Sequence, residues 1–269
     1  MIAPSPEDQA EVEATKAPLL EHLIELRKRL IHAIIAFVIC FVVCFAFAKQ
    51  IYAFLTAPLA HALGPGHHLI YTALYETFFT YVKVGMFAGL CLAFPIIAAQ
   101  LWFFVAPGLY RHERRAFLPF LLATPVLFVI GAAFVMYVML PYAIRFFAGY
   151  ETPGGPGTLA IQLQPKVSEY LDFVMTLIFA FGLTFQMPVL LSLLGRVGIL
   201  SSEQLRSARR FAIVGIFAVA AVLTPPDIVS MLSLAVPLVG LYEISILCVR
   251  LIERNRAAEL AGTEVAKPS

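Results

Sequence analysis

The chain has 269 residues, of which 61% are hydrophobic and 13% charged, with a mean hydropathy of +0.87. Those values lie outside the soluble globular range and describe a polytopic membrane protein. A net charge of +2 gives no footing for nucleic-acid binding, so the informative quantity is where the cations sit along the chain.

Residues 1–17 contain Pro4, Pro6 and the acids Glu7, Asp8, Glu11 and Glu13 without apolar periodicity, which predicts a disordered cytoplasmic tail. From Pro18, residues Leu19, Leu20, Leu23, Ile24, Leu30 and Ile31 recur at helical spacing opposite Glu21, Glu25, Lys28 and Arg29. That pattern predicts an amphipathic helix at the membrane surface, leading into a first span over residues 31–48. A signal peptide is rejected because the apolar run is long, no small-residue cleavage site follows it directly, and further spans succeed it. Cys40, Cys44, Cys91 and Cys248 lie inside apolar runs without metal spacing and read as small hydrophobes.

A loop from Lys49 to Tyr75 carries Pro58, Gly64-Pro65-Gly66 and the histidines His61, His67 and His68, whose spacing favours solvated side chains over a metal site. No metal and no cofactor is expected. The second span, 77–105, is too long for a ~30 Å hydrocarbon core unless it tilts, kinks at Pro95 or protrudes. Lys83 near its start is expected to snorkel to the interface. Then comes Pro107-Gly108-Leu109-Tyr110-Arg111-His112-Glu113-Arg114-Arg115, a basic turn with one carboxylate between two uncharged runs. The third span, 116–140, contains Pro119 and Pro125, and Pro141 follows it. Such a bent helix is expected to pack against protein, which supplies partners for the freed carbonyls.

After the Gly/Pro-rich loop 149–165, Ser168 is a candidate N-cap with Glu169 and Asp172 in the first turn of the fourth span, 170–195. Gln186 lies within that span, two residues before Pro188, and needs hydrogen-bond partners there. Ser201-Ser202-Glu203-Gln204 fits a capping box that opens a short basic helix. Thr224-Pro225-Pro226-Asp227 separates a short fifth span, 211–224, from a sixth, 228–249, and residues 251–269 form a second polar tail. Placing the tails and the alternate turns on one face gathers fifteen of the nineteen lysines and arginines there, so both termini are expected to be cytoplasmic. The expected architecture is all-α, with a six-span membrane domain over residues 18–250.

Four motifs occur in one order: His22-Leu23-Ile24-Glu25-Leu26-Arg27-Lys28-Arg29-Leu30, the stretch Trp102 to Arg115, Phe181-Gly182-Leu183-Thr184-Phe185-Gln186-Met187-Pro188, and Leu223-Thr224-Pro225-Pro226-Asp227. Together they resemble the TatC family, the receptor subunits of the twin-arginine protein translocase, over nearly the whole chain from Pro18 to Arg250. The resemblance implies a glove-like, concave six-helix bundle in the bacterial cytoplasmic membrane, binding of twin-arginine signal peptides at the cytoplasmic face, and assembly with TatA- and TatB-type single-span partners. It also implies use of the proton-motive force, no enzymatic activity and self-assembly into a larger complex. It points to Glu25, Glu113, Arg27 and Phe104 for signal-peptide binding, and to Gln186, Asp227, Thr224 and Pro58 as partner or structural polar sites. Carboxylates suit the first role because a guanidinium forms paired, charge-assisted hydrogen bonds with them. Readings internal to the chain compete: an Arg29 or Lys28 pair for Glu25, charge balance for Glu113, an interfacial anchor for Phe104 and a helix N-cap for Asp227. At Gln186 the family pattern has a glutamate, which puts any titrating role there in doubt. A secondary transporter lacks support, since no carboxylate pair lies near the midplane, and an intramembrane enzyme lacks its motifs, with no HExxH, no GxSxG and no Asp in the apolar interior of a span.

Overall fold

The structure is a computed structural model that describes the backbone of residues 6–64, 67–105, 118–223 and 228–265 and most side chains between His22 and Asn255. Its helices are α1 (Pro6–Ala46), α2 (Ala48–Leu63), α3 (Glu76–Val105), α4 (Leu118–Phe134), α5 (Leu140–Ala148), α6 (Val167–Thr184), α7 (Met187–Val197), α8 (Ser202–Leu223) and α9 (Ile228–Val265). A π-helical turn, Val135–Met139, joins α4 to α5. Among the described residues the only extended pairing is isolated bridges, one of which ties Ile70 to Lys166.

Five segments are long and apolar enough to cross a membrane by length and composition: His22–Ala46, Glu76–Trp102, Phe120–Ala148, Val167–Val197 and Met231–Asn255. These match five of the expected spans with shifted ends. The expected fifth span is the apolar end of α8, a helix that also contains the basic segment before it. The N-terminal acidic segment and the amphipathic stretch are not separate from the first span, because α1 runs from Pro6 through all three. The second tail likewise begins as helix, with α9 continuing to Val265. The third span passes through Pro125, the π-helical turn and Pro141 before ending at Ala148. The fourth is two helices, since α6 stops at Thr184 and α7 restarts at Met187 with a proline in its first turn. Pro188 has no amide to give the preceding turn, so the chain breaks there and begins again.

The core centres on α6. Leu171, Val174, Leu177 and Phe181 are fully buried against Val135 and Leu140. Glycines let backbones meet where the sequence supplies large aromatics. A Cβ on Gly89 would stand 2.7 Å from the Phe41 Cα, and one on Gly85 would stand 3.1 Å from that of Phe45, so α3 lies directly on α1. A Cβ on Gly182 would strike the Phe128 ring at 2.5 Å, and that ring stacks on Phe94 with centroids 4.2 Å apart.

At one end of the bundle the segments 67–75 and 149–166 form a hydrogen-bonded loop layer. The Ile70 amide donates to the Pro165 carbonyl at 3.1 Å, and the Val167 amide donates to the Ile70 carbonyl at 2.9 Å. Glu76, a buried carboxylate, pins this layer by accepting from the Thr72 and Ala73 amides and from the Ser168 hydroxyl at 2.8 Å, with Lys166 Nζ 3.7 Å away. Ser168 therefore does not act as the expected N-cap. That position falls to Lys166, which makes no side-chain cap. Lys83 does not simply snorkel, because its ammonium meets Asp172 of α6 at 2.9 Å.

Candidate functional site

The site lies at the opposite end, where α1 and α3 run antiparallel. Phe45 faces Gly85 and Phe41 faces Gly89; further along, Arg29 reaches Gln100 and His22 reaches Phe104. Tight backbone approach at the glycines thus sets the register that brings Glu25 and Arg29 beside the C-terminal part of α3. There Ile24, Glu25, Lys28, Arg29, His32 and Gln100 line a groove of about 540 Å³.

Within the groove Glu25 Oε1 accepts from Arg29 Nη2 at 2.8 Å and from Nε at 3.2 Å, the pairing that i, i+4 spacing allows on a helix. Arg29 Nη1 also donates to Gln100 Oε1 at 3.4 Å, so the guanidinium bridges the two helices. Both bonds fall on one oxygen, and among the described residues none is made to Glu25 Oε2. The carboxylate and its arginine are about 30% exposed, open enough for an incoming cation to reach. His22 stacks on Phe104 with ring centroids 4.3 Å apart and 25° between planes, a flat aromatic rim beside the groove. Phe104 therefore has a defined partner, whereas Arg27 is exposed and lies outside the groove lining.

Sequence reasoning missed Gln100, His32 and Lys28 as groove residues. Gln100 was findable, since it is the sole amide in the uncharged run Val84–Gly108. Glu113, Thr224 and Asp227 lie outside the described residues.

Gln186 sits at the α6–α7 break and is buried. Its Nε2 donates to the Thr124 carbonyl at 3.0 Å and to the Gly182 carbonyl at 3.3 Å, while Oε1 has no partner among the described residues. Thr124 Oγ1 donates to the Phe120 carbonyl and accepts from the Trp102 indole at 3.4 Å. The amide thus joins α4 to the broken helix, and the indole ties that joint to α3. Pro58 lies inside α2, where the missing amide leaves the Phe54 carbonyl without its helical donor. The expected capping box is present: the Ser201 amide donates to Gln204 Oε1 at 2.9 Å and the Gln204 amide to Ser201 Oγ at 3.1 Å. Ser202 bonds instead to Glu253 of α9 through its amide at 2.8 Å and its hydroxyl at 2.5 Å.

Described residues that are nearly all helical, with several membrane-length apolar helices, a hydrogen-bonded loop layer at one end and an open polar groove at the other, define a multi-pass membrane protein. The family model described as Sec-independent protein translocase protein (TatC) matches residues 21–237. The chain belongs to the TatC family. It is 48% identical over 249 residues to the Sec-independent protein translocase protein TatC of Magnetococcus marinus, covering 93% of this chain and 90% of that one. With the protein of that name from Escherichia coli K12 it shares 42% identity, over 85% of this chain and 86% of the other. A crystal structure of the twin arginine translocase receptor TatC superposes with a TM-score of 0.74 at 40% identity, covering 86% of this chain and 99% of that chain. The protein is therefore a protein-translocase component of the membrane, a transport protein by class.

Proposed function

We propose that this protein is the receptor that binds twin-arginine signal peptides at the groove between α1 and α3, and that it assembles with TatA- and TatB-type single-span proteins to export folded cargo on the proton-motive force. The observation that carries the reading is Glu25 at the groove mouth. It is a half-open carboxylate held by Arg29 through a single oxygen, flanked by the Gln100 amide and the His22–Phe104 stack. A carboxylate offering an oxygen to solvent takes a peptide guanidinium by charge-assisted hydrogen bonds, and the flat aromatic rim suits the apolar residues beyond it. Glu113, in the basic stretch of sequence between α3 and α4, supplies the second carboxylate.

In this reading the chain spans the membrane six times, with the apolar end of α8 as the short fifth span and both termini cytoplasmic, in a bacterial cytoplasmic membrane. The cation count across the two faces supports that orientation. Gln186, Thr224, Asp227 and Pro58 are positions for partner contact or for shaping the bundle, and Gln186 acts by hydrogen bonding only. Arg27 serves through its charge near the groove rather than by lining it.

Binding of a twin-arginine signal peptide to the full chain in nanodiscs tests this. Glu113→Gln and Glu25→Gln each weaken binding by about 1.5–3 kcal/mol, roughly 10- to 150-fold, because each removes a charged acceptor while keeping shape. Replacing the two peptide arginines by lysines costs the wild type affinity and costs the Glu113→Gln variant distinctly less. Wild-type affinity in both glutamine variants, with the receptor folded, places recognition elsewhere.

A further inference from the structure

A second cavity lies far from the α1–α3 groove, between α2 and the end of the third span. Phe54, Pro58 and His61 of α2 face Tyr137, Pro141 and Arg145 across about 440 Å³, a size that accommodates small ligands. Its two walls run in the same direction. The start of α2 lies beside the second turn of α3, where Tyr52 and Tyr81 have ring centroids 5.5 Å apart. Its end gives way at Gly64 to the loop layer, and α5, which packs against α2, ends at Ala148 in the same layer. The groove is therefore graded along its length, with Phe54 and Tyr137 at its deeper end and His61 and Arg145 in the last turns of their helices.

Arg145 is exposed, lies one turn from the end of an apolar span and has no carboxylate within ion-pair distance among the described residues. Of the other lysines toward this end, Lys83 and Lys166 face Asp172 and Glu76, and Lys49 sits at the start of α2, outside the cavity lining. An exposed guanidinium at the membrane interface without an anion from its own chain is free to take one from outside. No acid lines the cavity, so the field at its mouth is positive, while its deeper walls offer aromatic and aliphatic surface. One ligand class combines an anionic phosphate at the interface with hydrocarbon pointing inward. We infer that this groove is a binding site for one anionic phospholipid, its phosphate held by Arg145 and a His61 ring N–H and its acyl chain lying along Phe54 and Tyr137.

The assignment depends on neither the signal-peptide reading nor the side of the membrane on which the loop layer lies. It is tested by reconstituting the full chain in nanodiscs with phosphatidylglycerol or phosphatidylcholine carrying a photoreactive acyl chain and mapping the adducts by peptide mass. Adducts on the segments 54–61 and 137–145 are expected to be at least about threefold more abundant with phosphatidylglycerol. Arg145→Gln should bring that excess down to the phosphatidylcholine level, and Arg145→Lys should keep most of it. The phosphatidylcholine adducts stay constant across the variants and report an intact fold; should Arg145→Gln disturb them, His61→Gln, which leaves Arg145 in place, reduces the excess in part. Equal adducts from the two lipids in the wild type, or an excess indifferent to both substitutions, would leave only bulk lipid in the groove and overturn the assignment. Suppression of the excess by millimolar glycerol 3-phosphate would reassign the site to a soluble phosphate and likewise overturn it.

Discussion

α1 and α6 are both apolar helices, and they stand in opposite relations to the rest of the protein. In the most apolar window of the first span only 6% of residues are buried inside the protein, against 56% in the span that holds α6 and α7. α1 touches the bundle chiefly along α3, through Gly85 and Gly89, and presents Ile34, Ile35, Val38, Ile39 and Val42 outward. α6 is enclosed chiefly by α4, α3 and the π-helical turn. Two helices of similar hydropathy thus do different work. One presents an apolar surface outward, and the other is the buried element on which the bent third span packs.

Substitutions break or sharpen that contrast. The largest effect is expected from Phe181→Ala, which empties a fully buried site in α6 and should destabilise by about 3–5 kcal/mol, read by denaturant unfolding in detergent. Gly89→Leu should come next, at about 1–3 kcal/mol, because a side chain there meets the Phe41 backbone rather than a movable ring tip. It should also reduce cysteine crosslinking between positions 22 and 104, since the register that stacks them is lost. Gln186→Leu removes two hydrogen bonds at the α6–α7 break and should cost about 0.5–1.5 kcal/mol. Val42→Ala, on the outward face of α1, should stay within about 0.5 kcal/mol in the same assay. A loss at Val42 comparable to that at Phe181 would mean that α1 is core after all.

Much of this contrast could not be read from the chain. Hydropathy pointed to the five helices that are long and apolar enough to cross a membrane, and Ser201 with Gln204 announced a cap that the structure closes. Which span is buried depends on partners distant in sequence, so periodicity did not separate α1 from α6. Breaks were partly legible. Pro188 signals one, yet its effect is to split the fourth span rather than bend it, and nothing in Val135–Met139 marks a π-helical turn. Glu76 was overlooked because a carboxylate at the start of a span reads as an interfacial charge, whereas its partners Ser168 and Lys166 lie some ninety residues away. At the α1–α3 groove Glu25 and Phe104 were found from the resemblance, while Gln100 needed the antiparallel register.

The unbroken course of α1 from Glu25 to Ala46 gives it the mechanics of a lever. Its hydrogen-bonded backbone resists bending over that length, and its firmest contact, where Phe41 and Phe45 rest on Gly89 and Gly85, sits near one end. That contact is a fulcrum with a long arm and a short arm. A force moving the long arm away from Gln100 would tip the short arm the opposite way, at the Phe47 joint with α2. A displacement at the groove end of α1 would be carried, reduced in amplitude, to its junction with α2 if the helix moves as a rigid rod.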